Sequence, residues 1–288
     1  MAKNNNGKKS PLQETVYRFC QNRVSLIGLV ILIALILMMV LAPVIADPDL
    51  ATKQNIPNRL KGPSAEHIFG TDGYGRDIFA RVVHGAKYTM FISFSSVLLA
   101  DIVGVILGAC AALYSTWFDE VLMRVLDVFQ AIPGMLMAMA IVAALGTSLP
   151  NLVIAMMISR VPGATRSSRA VMLNIVNQEH IAAARSYGSK DYQLIFRHII
   201  PNAIGPIIIS FTISLAATTL QVSSLSYIGL GVQPPTPEWG VLLSEAREFM
   251  RIAPHTIIFP GLMIMLAALA FNLVGDGLRD ALDPKLRD

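Results

Sequence analysis

The side chains that could carry out catalysis or bind a metal are few and scattered. The five histidines are His67, His84, His180, His198 and His255. Cys20 and Cys110 are far apart, and Cys110 lies inside an apolar run, so neither a disulfide framework nor a CxxC metal or redox site is available. The sequence has no GxxxxGKS or GxxxxGKT motif to hold ATP phosphates and no HExxH or GxSxG motif. We therefore expect no enzymatic site, no metal site and no cofactor bound by this chain.

Two acidic side chains have surroundings that suggest a transport role. Asp101 lies in "SSVLLADIVGVILGA", near the middle of an apolar run. A carboxylate inside a membrane span is costly and by default marks an inward-facing polar path. A hydrogen-bonded packing partner, or a span with other limits, would also explain it. Asp127 and Pro133 in "DVFQAIPGM" place a charge and then a helix kink near the start of the next run. These three residues are candidates for a translocation path or its gate.

A polar stretch, "EHIAAARSYGSKDYQLIFRHIIPN" (residues 179–202), interrupts the apolar sequence. Its second half has apolar residues at i, i+3, i+4 and i+7, which predicts a short amphipathic helix. Those residues are Tyr192, Ile195, Phe196 and Ile199. The three alanines 182–184 favour a preceding helix and permit close approach by another surface. Gly188 is predicted to end that helix as a hinge, and Pro201 to stop the second helix. The spacing leaves two interpretations open, a docking site or a loop lying on the membrane surface.

The composition places these features in a membrane. The chain of 288 residues is 54% hydrophobic and 15% charged, with a mean hydropathy of +0.57, far more apolar than an ordinary soluble domain. The first apolar run, 24–46, would extend about 34 Å as a helix, enough for a hydrocarbon core of about 30 Å. A cleaved signal peptide is the alternative, but its apolar core would have only about 7–15 residues. The other runs are 88–114, 121–145, 149–166, 204–228 and 255–275. This pattern predicts an all-α polytopic membrane protein with six transmembrane helices, and the GxxxG pair Gly104 and Gly108 predicts a close helix contact.

The basic residues indicate the orientation of these spans. Segments 1–23, 115–124, 160–203 and 276–288 hold 5, 1, 6 and 3 Lys or Arg, whereas 47–87 and 229–254 hold 6 and 2. This bias favours cytoplasmic N- and C-termini. The membrane topology explains the basic residues that give the net charge of +4. These residues are not interleaved with aromatic ones on any one segment, so no nucleic acid partner is expected.

The predicted organisation follows from the spans and their orientation. A cytoplasmic N-terminal segment, 1–23, precedes the first transmembrane helix, 24–46, and an external loop, 47–87. A core of five helices, 88–275, contains a polar cytoplasmic loop at about 167–203 and an external loop at 229–254. The chain ends in a cytoplasmic tail, 276–288.

Two external stretches are rich in turn-forming residues. The glycines of "GTDGYGRD" (residues 70–77) permit tight turns, and its charged side chains can pair with one another. Three prolines make "GVQPPTPEWG" (residues 231–240) a rigid extended loop, and the residues after it predict a short external helix. A structural brace and a contact with a partner are both compatible with these patterns.

The polar stretch resembles the EAA loop of permease subunits of bacterial ABC importers. That pattern is Glu-Ala-Ala, three residues, Gly, nine residues, Ile, one residue, Leu-Pro. Its two alanines, its glycine and its proline fall on Ala183, Ala184, Gly188 and Pro201. The Glu, Ile and Leu of the family fall on Ala182, His198 and Ile200, which depart from the pattern. A charge contact made by the family's Glu must therefore come from another residue here.

In that family the loop forms a coupling helix that seats in a groove of the ATP-hydrolysing subunit. The resemblance implies the same role here. The candidate coupling residues are Glu179, Ala182, Ala183, Ala184, Arg185, Gly188, Lys190, Tyr192, Ile195, Phe196, His198, Ile199 and Pro201.

Four further blocks resemble the C-type permease of the dipeptide, oligopeptide and nickel ABC importers. They are "HIFGTDGYGRDIFARVVHGAKYT" (67–89), "DEVLMRVLDVFQAIP" (119–133), "SYIGLGVQPPTPEWGVLLSEAR" (226–247) and "DGLRDALDPKLR" (276–287). The resemblance implies half of a translocation path for peptides in the bacterial cytoplasmic (inner) membrane. It also implies a homologous B-type permease, two ATP-binding subunits that hold ATP and Mg, and an extracytoplasmic substrate-binding protein.

The resemblance further implies that the external region meets the binding protein. The candidate contact residues are Asp72, Arg76, Asp77, Glu238, Trp239 and Glu245. Three alternatives to a peptide permease stay open at this point: a permease for nickel or another small solute, a passive channel, and an integral membrane enzyme.

Overall fold

The computed structural model describes residues 11–114 and 117–282, and these residues form helices and connecting loops with no β-strand among them. The helices are α1 (Pro11–Gln21), α2 (Arg23–Val40), α3 (Ala42–Ile45), α4 (Pro48–Thr52), α5 (Ile78–Leu113), α6 (Trp117–Gln130), α7 (Gly134–Leu145), α8 (Leu149–Val176), α9 (Glu179–Ser186), α10 (Asp191–Gln193), α11 (Ile200–Tyr227), α12 (Trp239–Ala246) and α13 (His255–Leu282). A π-helical turn, Leu194–Ile199, joins α10 to α11, and 3-10 turns lie at Ile56–Asn58 and Arg247–Phe249. The all-α prediction is confirmed. Predictions for residues 1–10, 115–116 and 283–288 lie outside the described residues.

Four helical segments in the described part of the chain are long and apolar enough to cross a membrane. They are Arg23–Val40, Ile78–Leu113, Asp191–Tyr227 and His255–Leu282, and the count becomes five if α6 and α7 form one broken span. Helix α8 is long enough but carries three arginines, Arg160, Arg166 and Arg169. The polytopic membrane character is confirmed, whereas the count of six spans stays a prediction.

Helices α5 and α8 form the most extensive helix contact in the described structure, and they run parallel. A Cβ atom added at Gly104 would lie 2.6 Å from the Ala164 Cβ, and one added at Gly108 would lie 2.8 Å from the Arg169 backbone nitrogen. Only glycine permits this backbone separation, so the close approach predicted from the GxxxG pair is confirmed.

Different segments of the chain lie at the two ends of the helix bundle. The start of α2 lies beside the end of α13, where the Asn22 side-chain amide donates to Asp280 over 3.3 Å. The start of α11 lies there too, since a Cβ at Gly205 would be 3.7 Å from a methyl carbon of Leu282. We call this end the polar end, because it carries residues 177–199, which we call the polar segment. The opposite end is covered by residues 47–77 together with α12, which we call the cap.

The first two predicted spans have other limits in the structure. Helix α2 ends at Val40 instead of 46, and α3 follows as a separate turn with Pro43 near its start. Helix α5 begins at Ile78, ten residues before the predicted start at 88, because the Asp77 carboxylate caps it by accepting the Ala80 N–H at 2.8 Å. Residues 78–87, predicted to belong to the loop between the first two spans, are therefore helical.

The third and fourth predicted spans also differ from the structure. The run 121–145 is two helices bent by 80°, because Pro133 lacks an N–H and stands immediately before α7. The predicted kink is therefore a complete break. Helix α8 continues past Pro162 to Val176, beyond the predicted end of the fourth apolar run at 166.

Pro201 does not stop the helix of the polar segment, which corrects another prediction. The π-helical turn before it lets the Ile200 N–H donate to the Ile195 carbonyl, five residues back. A wider turn accommodates the ring and the missing N–H of Pro201, so the helix continues into α11. The fifth apolar run is thus joined directly to the polar segment. The last helix, α13, extends to Leu282, beyond the predicted limit at 275.

Candidate functional site

A polar cavity of about 420 Å³ lies in the helix bundle between α5, α8, α11 and the break that separates α6 from α7. Most of its polar wall is neutral, formed by hydroxyl and amide side chains. These are Gln130, Ser159, Ser167, Ser210, Ser214 and Gln221. Asp101 from α5 and Arg160 from α8 are the two charged side chains on the wall. The cavity can therefore hold a small polar molecule and offers it one group of each charge.

Two local features open this cavity. Pro133 and Gly134 lie on its wall at the break before α7, so the chain turns away where a continuous helix would fill the space. On α8, Gly163 also lies on the wall, and a Cβ atom added there would meet no atom within 4 Å. The cavity thus depends on a proline break on one side and a missing side chain on the other.

The predicted path residues are separated by the structure into two groups. Asp101 and Pro133 lie together on the cavity wall. Asp127 instead forms an ion pair with Arg166 of α8, at a position outside the cavity lining. The structure therefore brings two of the three residues to one site, and their transport role stays a prediction.

Helices α6 and α8 are held together by a second ion pair. The Arg169 guanidinium binds the Asp119 carboxylate with two nitrogens, and its Nε lies 2.5 Å from an Asp119 oxygen. The Asp119 side chain is largely buried, and the Arg169 side chain is partly exposed. Since a bidentate arginine–carboxylate contact fixes geometry as well as distance, these pairs set the position of α6 on α8.

Sequence reasoning missed Arg160 as a site residue and treated it only as an interruption of an apolar run. The available signal was its charge inside a run of apolar residues, which is the same signal that identified Asp101. In residues 11–114 and 117–282, no three His, Cys, Asp or Glu side chains are placed to hold a metal ion.

The polar segment begins with α9 and turns sharply at Gly188. This glycine has a φ of +85°, and the Ser189 N–H donates to the Ala184 carbonyl over 3.1 Å, a bond that closes the end of α9. The left-handed conformation strains any residue with a Cβ atom. The predicted hinge conformation of Gly188 is confirmed.

The predicted apolar face of the second helix is divided. Ile195 and Ile199 point inward and are buried, together with Leu194. Tyr192 and Phe196 are 58% and 57% exposed. The prediction that these four residues share one face is therefore wrong, because the π-helical turn changes the angular spacing of side chains along the segment.

The buried half of the polar segment packs on the helices that line the cavity. Ile181, Leu194 and Ile199 join a hydrophobic cluster with residues at the ends of α5 and α8. Those residues are Ala109, Ala112, Leu113, Met172 and Ile175. The exposed half presents Tyr187, which is 91% exposed, with Tyr192 and Phe196. The segment is thus attached to the cavity helices on one side and offers aromatic rings on the other.

The charged residues of the cap form an internal network. Asp72 accepts from Arg76 Nε at 2.7 Å and from Arg81 at 2.6 Å, and Glu245 accepts from the same two arginines at 2.8 and 2.7 Å. Asp77 Oδ2 also lies 2.8 Å from His67 Nδ1, within hydrogen-bond distance. These pairs tie residues 67–77 to the start of α5 and to α12, which is the brace that the turn-rich sequence also suggested.

Two predicted contact residues of the cap, Glu238 and Trp239, are fully buried at 0% exposure. The Trp239 indole donates to the Val82 carbonyl over 2.9 Å, and Glu238 accepts from Thr89. Asp72, Arg76 and Asp77 are buried too, whereas Glu245 is partly exposed. A direct contact with a partner is therefore wrong for the five buried residues, because their polar groups are used within the chain.

Comparison with known proteins gives two matching family models. Residues 104–288 match the binding-protein-dependent transport system inner membrane component model, and residues 10–63 match the N-terminal TM domain of oligopeptide transport permease C. A dipeptide transport system permease protein of Alkalihalophilus pseudofirmus is 44% identical over 278 residues, which cover 96% of this chain and 91% of that protein. Glutathione transport system permease proteins of Escherichia coli O6:K15:H31 and Shigella boydii serotype 4 are 42% identical over 279 residues, covering 97% of this chain and 92% of each relative.

Proposed function

The chain belongs to the family of binding-protein-dependent inner-membrane transport components, as a C-type permease of the dipeptide and oligopeptide ABC importers, and on this premise we propose that it forms half of a translocation path for peptides. It is a multi-pass protein of the inner membrane and a non-enzymatic component of its transporter. The path would pass the cavity between α5, α8 and α11.

Peptides are the substrate class that the relatives support. One relative is named for dipeptides and two for glutathione, which is itself a small peptide. Small peptides carry an ammonium, a carboxylate and amide groups. The cavity offers opposite charges together with hydroxyl and side-chain amide groups, which suit such a molecule.

We further propose that the polar segment is the coupling element. The observation that carries this proposal is its two-sided structure. Its buried residues pack on the ends of α5 and α8, the helices that carry Asp101 and Arg160, while Tyr187, Tyr192 and Phe196 are exposed. A force applied to the aromatic side would reach the cavity helices through close-packed side chains. In this proposal an ATP-binding subunit seats on that aromatic side.

The assembly we propose contains a homologous B-type permease, two ATP-binding subunits and an extracytoplasmic substrate-binding protein. ATP and Mg are bound by the ATP-binding subunits. In this proposal the polar end faces the cytoplasm, which the bias of basic residues supports, and the N- and C-termini are cytoplasmic as that bias predicts. The cap then faces the binding protein.

The test is uptake by the complete complex in proteoliposomes, with radiolabelled dialanine supplied on the binding-protein side. Uptake that requires both ATP and the ATP-binding subunits supports the proposal. Uptake without those subunits would indicate a passive channel, and ATP-dependent uptake of nickel in preference to dialanine would indicate the other substrate class.

A separate variant tests whether the polar segment couples ATP hydrolysis to transport. In F196D a charge replaces an exposed ring, and we expect the protein to stay in the membrane while uptake and substrate-stimulated ATP hydrolysis are lost. F196L keeps an apolar surface and is the matched control. Normal substrate-stimulated hydrolysis in F196D would refute the coupling role of this segment.

A further inference from the structure

Arg160 differs from the other arginines that the structure places between α6 and α8. Arg166 and Arg169 are paired with Asp127 and Asp119. Arg160 forms no close ion pair or hydrogen bond among the described residues, and its Nε is buried without a partner, although the Asp101 carboxylate acts on its charge at longer range. A guanidinium inside a membrane bundle that has no hydrogen-bonded partner is unfavourable unless water or a ligand stabilises it. The charge of Arg160 therefore points to an occupant of the cavity.

Asp101 lies level with Arg160 on the neighbouring helix. Helices α5 and α8 are parallel, and Gly104 packs against Ala164, so the register places Asp101 beside the turn of α8 that contains Arg160. Asp101 also forms no ion pair or hydrogen bond among the described residues. The cavity thus presents an acidic and a basic group at one level of the bundle, which interact through their charges but form no hydrogen bond or close ion pair with each other.

A zwitterionic main chain carries the two kinds of charged group that these side chains bind. A guanidinium binds a carboxylate through two parallel hydrogen bonds, and a carboxylate binds an ammonium group. The termini of an extended dipeptide are separated by roughly 7 Å, since each residue adds about 3.3–3.6 Å. The hydroxyls of Ser210 and Ser214 on α11 can bond the peptide group between them.

We propose that Arg160 and Asp101 form a transit subsite that holds the free carboxylate and the free ammonium group of a peptide as it passes through the cavity. This inference rests on the proposed function, because it assumes that the cavity is part of the path. It adds the chemistry of recognition inside the membrane, with Arg160 receiving the carboxylate.

The test uses the complete complex in proteoliposomes, with dialanine uptake measured per ATP hydrolysed. We expect a decrease of about tenfold or more in R160Q, since a charge-assisted contact is lost, and partial recovery in R160K. D101N should also decrease uptake. R124Q, which removes an exposed arginine of α6 outside the cavity lining, is the matched control and should transport normally.

The double variant D101N/R160Q separates a subsite from a purely structural pair. If the two residues bind the peptide, the double variant transports no better than either single variant. Recovery of uptake in the double variant would overturn the inference, as would normal uptake in R160Q.

Co-purification of all subunits with R160Q provides the remaining readout. Loss of assembly would assign Arg160 to the interface with the second permease and would also overturn the inference. Failure of the wild-type complex to take up dialanine in an ATP-dependent way would instead refute the proposed function, so the two failures are distinguishable.

Discussion

Thr89 donates a hydrogen bond of 2.8 Å to Glu238, and these two residues, 149 positions apart in the sequence, join α5 to the start of α12. Both side chains are fully buried. The second carboxylate oxygen of Glu238 accepts the Val241 N–H at 3.0 Å and so caps α12. Burial raises the pKa of Glu238, although the hydrogen bonds from Thr89 and Val241 oppose this. The cap is therefore held by a carboxyl group that folding makes a weaker acid.

The raised pKa of Glu238 predicts a pH-dependent stability of the cap. Above the ordinary pKa of 4.5 the unfolded chain loses the proton while the folded chain retains it. The stabilisation is therefore fully present below pH 4.5 and is lost as the pH rises through the folded pKa. We therefore expect the thermal unfolding midpoint of the wild type, measured relative to that of E238Q, to increase as the pH falls toward 4.5.

The matched control for Glu238 is E248Q, which removes the charge of an exposed glutamate in the same external region. Its unfolding midpoint should follow that of the wild type across the pH range. An E238Q difference that is constant with pH would contradict the prediction.

Gly188 is expected to be sensitive to substitution. In G188A the new Cβ would meet no neighbouring atom, so the effect is backbone strain of about 1–2 kcal/mol at a φ of +85°. We expect lower uptake per ATP hydrolysed, because the exposed aromatic rings of the segment change position. Insertion into the membrane should be unchanged.

The control for this substitution is G261A, a position in α13 where a Cβ also meets no atom within 4 Å but the backbone is helical. Alanine there should stabilise the helix by about 0.5–1 kcal/mol and leave uptake unchanged. Equal behaviour of G188A and G261A would show that the left-handed conformation is unimportant.

The ion pair between Asp119 and Arg169, which joins α6 to α8, is expected to contribute measurably to the free energy of unfolding. D119N leaves a partly buried guanidinium without its charged partner, and we expect a loss of about 1.5 kcal/mol in the free energy of unfolding, at the low end for hydrogen bonds to charged groups. D49N, which breaks the exposed pair with Lys53, should lose only about 0–1 kcal/mol. Denaturant unfolding of both variants measures the difference. Partial recovery in D119R/R169D would confirm that the charges pair.

Sequence reasoning predicted the features whose signal is local. The apolar runs, the left-handed Gly188 and the close helix contact at Gly104 each follow from a few adjacent residues. Helix ends were predicted less well, since a proline can be bypassed by a π-helical turn, as at Pro201, or tolerated, as at Pro162. A local pattern does not contain the information that decides between these outcomes.

Pairings between distant residues could not be predicted from one sequence. The burial of Glu238 beneath the cap depends on Thr89, and the pairing of Asp127 depends on Arg166 on another helix. Considered alone, the sequence predicts a path or gate role for Asp127 and a partner contact for Glu238, and it indicates neither of these pairings. The candidate site was therefore found in part, with Asp101 and Pro133 recognised by their unusual neighbours and Arg160 missed.

Gly163 gives the most direct test of whether the cavity is the translocation path. It lies on the cavity wall, and a side chain added there would extend into open space without disturbing the packing of α8. G163A adds one methyl group, and G163L adds a side chain that occupies a substantial part of the 420 Å³ volume. Alanine and leucine both favour a helix over glycine by up to about 1 kcal/mol, so neither should destabilise the protein.

If the cavity is the path, uptake decreases from wild type to G163A to G163L, and G163L affects a tripeptide more than dialanine. ATP-dependent uptake of both peptides by the complete complex measures this order. The control is G261L, which adds the same side chain at an open helical position of α13 outside the cavity lining. Full uptake in G163L, or an equal decrease in G261L, would place the path elsewhere, because a filled passage cannot transport a peptide at the original rate.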